Sequence, residues 1–94
     1  MNILKKADQI INARSEEKER QYGSVSLGME RAANIASNAT GKKITASDMY
    51  ICMVALKLSR HSFNYKEDNL LDAVAYLGAL NNHEQSRAIT KKTT

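Results

Sequence analysis

The chain has no proline, only four glycines and a single cysteine. Each shortage excludes something. Without proline, and with glycine scarce, little interrupts long helical stretches. Alanine, leucine, lysine and glutamate are plentiful and strand formers are scattered, so the composition predicts an all-α fold. The lone Cys52 excludes an internal disulfide and suits a reducing compartment. Its neighbours Ile51, Met53 and Val54 predict a buried thiol rather than a nucleophile. No apolar run approaches membrane-spanning length, and the first residues lack the apolar region of a signal peptide. A cytoplasmic location is expected, with no membrane partner.

What is present is a modest positive charge. Fourteen basic residues stand against ten acidic ones, a formal net charge of +4. Lys5, Lys6, Lys42 and Lys43 fall near expected helix ends, and Lys91 and Lys92 lie in a polar tail spanning about residues 85–94. Such charges are solvated surface, and duplex nucleic acid is not an expected partner. At 94 residues the chain is one domain, 1–94, near the lower limit of what buries an adequate core alone. Association with further copies of itself is the expected remedy, giving a homo-oligomer.

Four helices can be read along it. Ile3, Leu4, Ala7, Ile10, Ile11 and Arg14 form a helical stripe, with Asn2 as N-cap. The stripe fades into the charged "SEEKERQ", which Tyr22-Gly23 ends. Ser24 or Ser26 starts a second helix with the small face Ala32, Ala33, Ala36 and Ala39, and Gly41 stops it. Thr45 and Asp48 resemble a capping box opening a third helix, "ASDMYICMVALKLSRHS", apolar on most sides and therefore expected at the centre. Asn64 with Glu67 is a second capping signal, ahead of "KEDNLLDAVAYLGALNN", which is expected to fray into the tail. Met29, Met49 and Met53 are expected in the core, and His61 and His83 at the surface.

A turn of a few residues makes the third and fourth helices antiparallel. Arg60 then lies roughly level with Asp68, and Lys57 with Asp72. Asp68, Asp72 and Tyr76 share one ridge, and Lys57 and Arg60 share a face of the opposing helix. One reading is a paired lock that fixes register. The other is a pocket in which the cations hold phosphate and the carboxylates orient them. Asp68 and Asp72 alternatively supply two ligands to magnesium, although two cations face them. In "EEKERQYG", Arg14, Lys18 and Arg20 precede Tyr22. A solvated helix end is the ordinary reading, and guanidinium and aromatic contacts to a nucleotide are the functional one. Neither a glycine-rich phosphate loop nor a spaced Ser/His/Asp set is present.

Tyr22-Gly23, "ITASDMYICMVALKLSR" and "DNLLDAVAYLGAL" together resemble a family of small phage proteins. That family is in turn distantly similar to the all-α MazG-like nucleotide pyrophosphohydrolases. The resemblance implies a four-helix, MazG-like domain and a nucleotide ligand. In those enzymes a Glu-Glu-x-x-Glu helix and a following Glu/Asp-x-x-Asp helix hold magnesium against a nucleoside triphosphate. Here Asn69-x-x-Asp72, or Asp68 with Asp72, matches the second motif, but Lys57-x-x-Arg60 stands where the first is required. By analogy of kind, the chain is similar to phage proteins that sequester nucleotide immune signals. The expected function is non-catalytic binding of a cyclic ADP-ribose isomer or cyclic dinucleotide, with no cofactor. Arg20, Tyr22, Lys57, Arg60, Asp68, Asn69, Asp72 and Tyr76 are the candidate ligand contacts. A magnesium-dependent pyrophosphohydrolase using Asp68 and Asp72, and a helical module that inhibits a host protein, are the alternatives.

Overall fold

Asn2 opens the first helix by accepting a hydrogen bond from the Lys5 N–H at 2.9 Å, which satisfies one of the amides left free at a helix start. In the computed structural model, residues 2–13 and 24–93 are described, with side chains as far as residue 88. They form α1 (Ile3–Asn12), α2 (Val25–Thr40), α3 (Ala46–Phe63) and α4 (Glu67–Thr93), with no strand among the described residues. Among the described residues, the expected all-α arrangement of four helices is present. Arg14 and the "SEEKERQYG" segment lie outside the described residues.

Local chemistry explains most boundaries. Ser24 caps α2 by accepting from the Leu27 N–H at 3.1 Å. Gly41 ends it at φ 71°, a left-handed conformation that a side chain would strain, and its N–H donates to the Ser37 carbonyl. The Ser37 hydroxyl donates to the Ile44 carbonyl and accepts from the Ile44 N–H, so it latches the connecting loop back onto α2. Thr45 and Asp48 form the expected reciprocal capping box at the start of α3.

The second capping signal does not operate. Asn64 is the extended C-cap of α3, its N–H donating to the Arg60 carbonyl at 3.2 Å, and α4 begins only at Glu67. Nor does α4 fray after Asn82. It continues to Thr93, because nothing beyond Gly78 breaks a helix and the sequence there remains rich in helix formers.

The central helix is α4, not α3. α4 packs against both α1 and α3, while α2 packs against α3. Ala73, Ala75 and Ala79 are buried on α4, and a Cβ on Gly78 would stand 2.7 Å from the Ile11 Cδ1, so small side chains let α1 approach closely. Across the described residues the buried core comprises Ala7, Ala33, Ala46, Ala73, Ala75, Ala79 and Tyr50. Met29, Met49 and Met53 are only half-buried. The apolar periphery of α3 is exposed instead, Ile51, Leu56, Leu58 and Phe63 among it. Cys52 is exposed with them, contrary to the buried thiol its apolar neighbours suggest. Hydrophobic neighbours in sequence indicate burial only when the helix has partners on that side, and α3 has none there among the described residues.

Candidate functional site

The α3–α4 hairpin positions the charged candidates. Lys57 Nζ lies 3.1 Å from Asp72 Oδ2, and the lysine side chain is only 16% exposed. That pair is the expected register lock. Its companion is not formed: Arg60 and Asp68 are both exposed, and no ion pair joins them among the described residues. Glu67, one residue earlier, instead pairs with Lys6 at 2.9 Å and ties the start of α4 to α1. The hydrogen bond from Lys6 and its positive charge hold the Glu67 carboxyl below the usual carboxylate range.

The hairpin thereby divides the expected site in two. Asp72, while paired to Lys57, and Tyr76 also border α1 and α2, where with Ile10, Ile11, Val25, Ala75 and Ala79 they line a mainly apolar cavity of about 200 Å³. Arg60 and Asn69 meet at the other side of the turn. With Ser59, Phe63, Asn64 and Lys66 they surround an open depression of about 620 Å³. Two cations, two amides and a hydroxyl converge there, and no carboxylate lines it. Phe63 is 94% exposed at its rim, and Tyr65 stands nearby in sequence at 69%. An anion entering this depression meets charge-assisted donors, while the Phe63 ring offers a face for stacking.

Sequence reasoning missed Phe63, Asn64 and Lys66. The signal was present: Arg60, Phe63 and Asn64 are spaced i, i+3, i+4 at a helix end, and so short a turn must fold Lys66 and Asn69 back beside them. Arg20 and Tyr22 lie outside the described residues.

A magnesium site at Asp68 and Asp72 fits poorly. Lys57 already occupies the Asp72 carboxylate, Asp68 is exposed one turn earlier, and no group of three potential metal ligands is assembled among the described residues. Hard divalent cations need several oxygens converging without a competing ammonium group.

A third concavity, about 260 Å³, lies beside Tyr50 and His83 and is lined by Asn12, Ser24, Ser26, Asn82 and Ser86. Tyr50 is the largest fully buried side chain, its ring centroid 5.6 Å from that of His83. Burial raises the Tyr50 phenol pKa, Ser26 lowers it through a hydrogen bond, and the Glu30 charge raises it. The histidines are thus not simple surface residues. His83 packs on Tyr50, and His61 meets the Tyr65 ring edge-on at 5.2 Å with its Nδ1 buried.

Fold and site together define a small domain of four helices among the described residues, with a cation-rich depression at one hairpin end. The chain belongs to the DUF6378 family, a domain of unknown function, whose family profile matches residues 2–84. No curated protein and no solved structure matches it. Among the described residues, no helix is long and apolar enough to cross a membrane.

Proposed function

We propose that this protein is a phage-type binding protein that sequesters a nucleotide-derived immune signal without hydrolysing it. The ligand class is a cyclic ADP-ribose isomer or a cyclic dinucleotide, whose phosphates and planar bases match the donors and ring present. One observation carries the reading: Arg60 and Lys66, with Asn64, Asn69 and Phe63, surround a single depression that no carboxylate lines. The two cations meet the phosphates, the amides reach ribose hydroxyls or base edges, and Phe63 stacks on a base. Lys57 and Asp72 support the site by fixing the hairpin from which Arg60 and Asn69 project.

Non-catalytic binding is preferred to MazG-like hydrolysis because magnesium chemistry needs converging carboxylates, and Asp72 is engaged by Lys57. The protein acts in the cytoplasm, as a homo-oligomer. Incubating it with each candidate signal and magnesium, heating it, and assaying the supernatant tests the reading. Intact ligand released by heat is the expected result. Release of pyrophosphate from a nucleoside triphosphate under the same conditions would overturn it in favour of the hydrolase.

A further inference from the structure

One stripe of α4 changes character along its length. Ala75 and Ala79 are buried, and the same stripe continues as Asn82 and His83. There it borders the concavity of about 260 Å³ beside Tyr50 of α3, with Asn12 at the end of α1 and Ser24 at the start of α2 opposite. All four helices thus contribute to one space, as they do where small-molecule sites form between helices. No aspartate, glutamate, lysine or arginine is among its lining residues, and it shares none of them with the hairpin-end depression. Tyr50 and Phe63 stand about 20 Å apart along α3.

The hydrogen-bonding capacity left at this concavity both donates and accepts. Asn12 uses an amide N–H on Asp8 at 2.6 Å, which leaves its amide oxygen as an acceptor. The Ser24 hydroxyl accepts from the Leu27 N–H at 3.1 Å, which leaves its own proton to donate. The Asn82 side-chain amide makes no hydrogen bond among the described residues and offers both. Tyr50 is already committed: Ser26 engages its phenol, and its ring, only 1% exposed, backs that of His83. An ion would lose water here and gain no opposite charge, so the lining selects a neutral ligand.

We propose that this concavity binds a small neutral ring bearing vicinal hydroxyls, either a free sugar or the ribose of a nucleoside. Two neighbouring hydroxyls each donate and accept, which matches the Asn82 amide on one side and Asn12 with Ser24 on the other. The C–H face of the ring packs on Ile11 and Val25, which line the same space. At about 260 Å³ it falls just under the span of drug-sized sites, about 300–1,000 Å³, and so suits a single sugar ring.

Heteronuclear NMR of the isotope-labelled whole chain, titrated with methyl ribofuranoside and with uridine, tests the site. At least one compound should shift the backbone amide signals of Asn12, Asn82 and His83 saturably. Binding of the riboside supports a free sugar as the ligand, and binding of uridine alone supports a nucleoside. The matching 2-deoxyriboside or 2′-deoxyuridine, which lacks the vicinal pair, should bind about three- to tenfold more weakly. Asn82→Leu and Asn12→Leu, both at exposed positions, should retain the helical circular dichroism signal and each weaken binding by a similar factor. Saturable shifts with neither compound, or shifts confined to the hairpin end, would overturn the site. So would equal binding of the deoxy compounds, or binding unchanged in both folded asparagine variants.

Discussion

Gly78 and Ile11 show how single side chains set the spacing of this fold. A Cβ at position 78 would stand 2.7 Å from Ile11 Cδ1, the tip of a side chain that can turn aside. Alanine there gains helix propensity of about 1 kcal/mol over glycine, while the contact costs a comparable amount, so Gly78→Ala alone should change stability little. Ile11→Val removes Cδ1 and with it the clash. In that background Gly78→Ala should stabilise by about 0.5–1 kcal/mol in thermal melts. A loss in the double variant would show that the helices cannot yield at all.

The carboxyls of Asp48 and Glu67 provide a pH signature. Hydrogen bonds from the Thr45 backbone and then its side chain lower the pKa of Asp48, and the hydrogen bond from Lys6 and its charge lower that of Glu67. Both groups hold their protons less tightly folded than unfolded. Their stabilisation is present above the unfolded pKa and lost as pH falls through the folded values. The melting temperature should therefore fall between about pH 5 and pH 3. Thr45→Ala keeps the backbone hydrogen bond and leaves Glu67 untouched, so it should weaken that dependence only in part, and circular dichroism melts across the range would check it.

Among the elements, the α3–α4 hairpin holds the most information and was the most legible. Its antiparallel pairing follows from the short turn, and the level of Lys57 with Asp72 follows from helical rise alone. The ion pair forms with the lysine largely enclosed and the carboxylate 38% exposed. Asp72→Ala should thus cost about 1–2 kcal/mol, between the values for exposed and buried pairs. The Lys57→Met, Asp72→Leu double variant should recover that loss in a denaturant titration. Thermally silent single variants would contradict a stabilising role for the pair.

Most caps were equally legible, the Asn64–Glu67 signal excepted. Asn2, Ser24, Gly41 and the Thr45–Asp48 box each act through a local hydrogen bond that neighbouring residues dictate. What the sequence hid depends on distant partners. The apolarity of α3 pointed to the centre of the bundle, yet α4 took that place because its alanines and Gly78 admit neighbours on two sides. Arg60 was legible as a candidate cation, but its separation from Asp68 and its grouping with Lys66 depend on side-chain directions around the turn. Periodicity does not fix those directions.

Across the described residues of the molecule, Ile35, Leu27, Leu4 and several α3 side chains are exposed, most other large apolar side chains are half-buried, and only alanines and Tyr50 are fully buried. A domain of this size with so few large buried side chains gains little from burial alone. Its stability should therefore depend on assembly, so the melting temperature should rise with protein concentration. A melting temperature independent of concentration over two decades would argue against that dependence.

We propose that the hairpin-end depression binds phosphate-bearing signals through side chains and without metal. Calorimetric titration of the protein with a cyclic ADP-ribose isomer and with cyclic dinucleotides, with and without EDTA, tests it most directly. Each charge-assisted bond contributes roughly 1.5–3 kcal/mol, so Arg60→Ala should weaken binding about ten- to a hundredfold. Lys66→Ala should act in the same direction, and EDTA should leave the affinity unchanged. Affinity that disappears with the chelator yet survives Arg60→Ala would contradict the account.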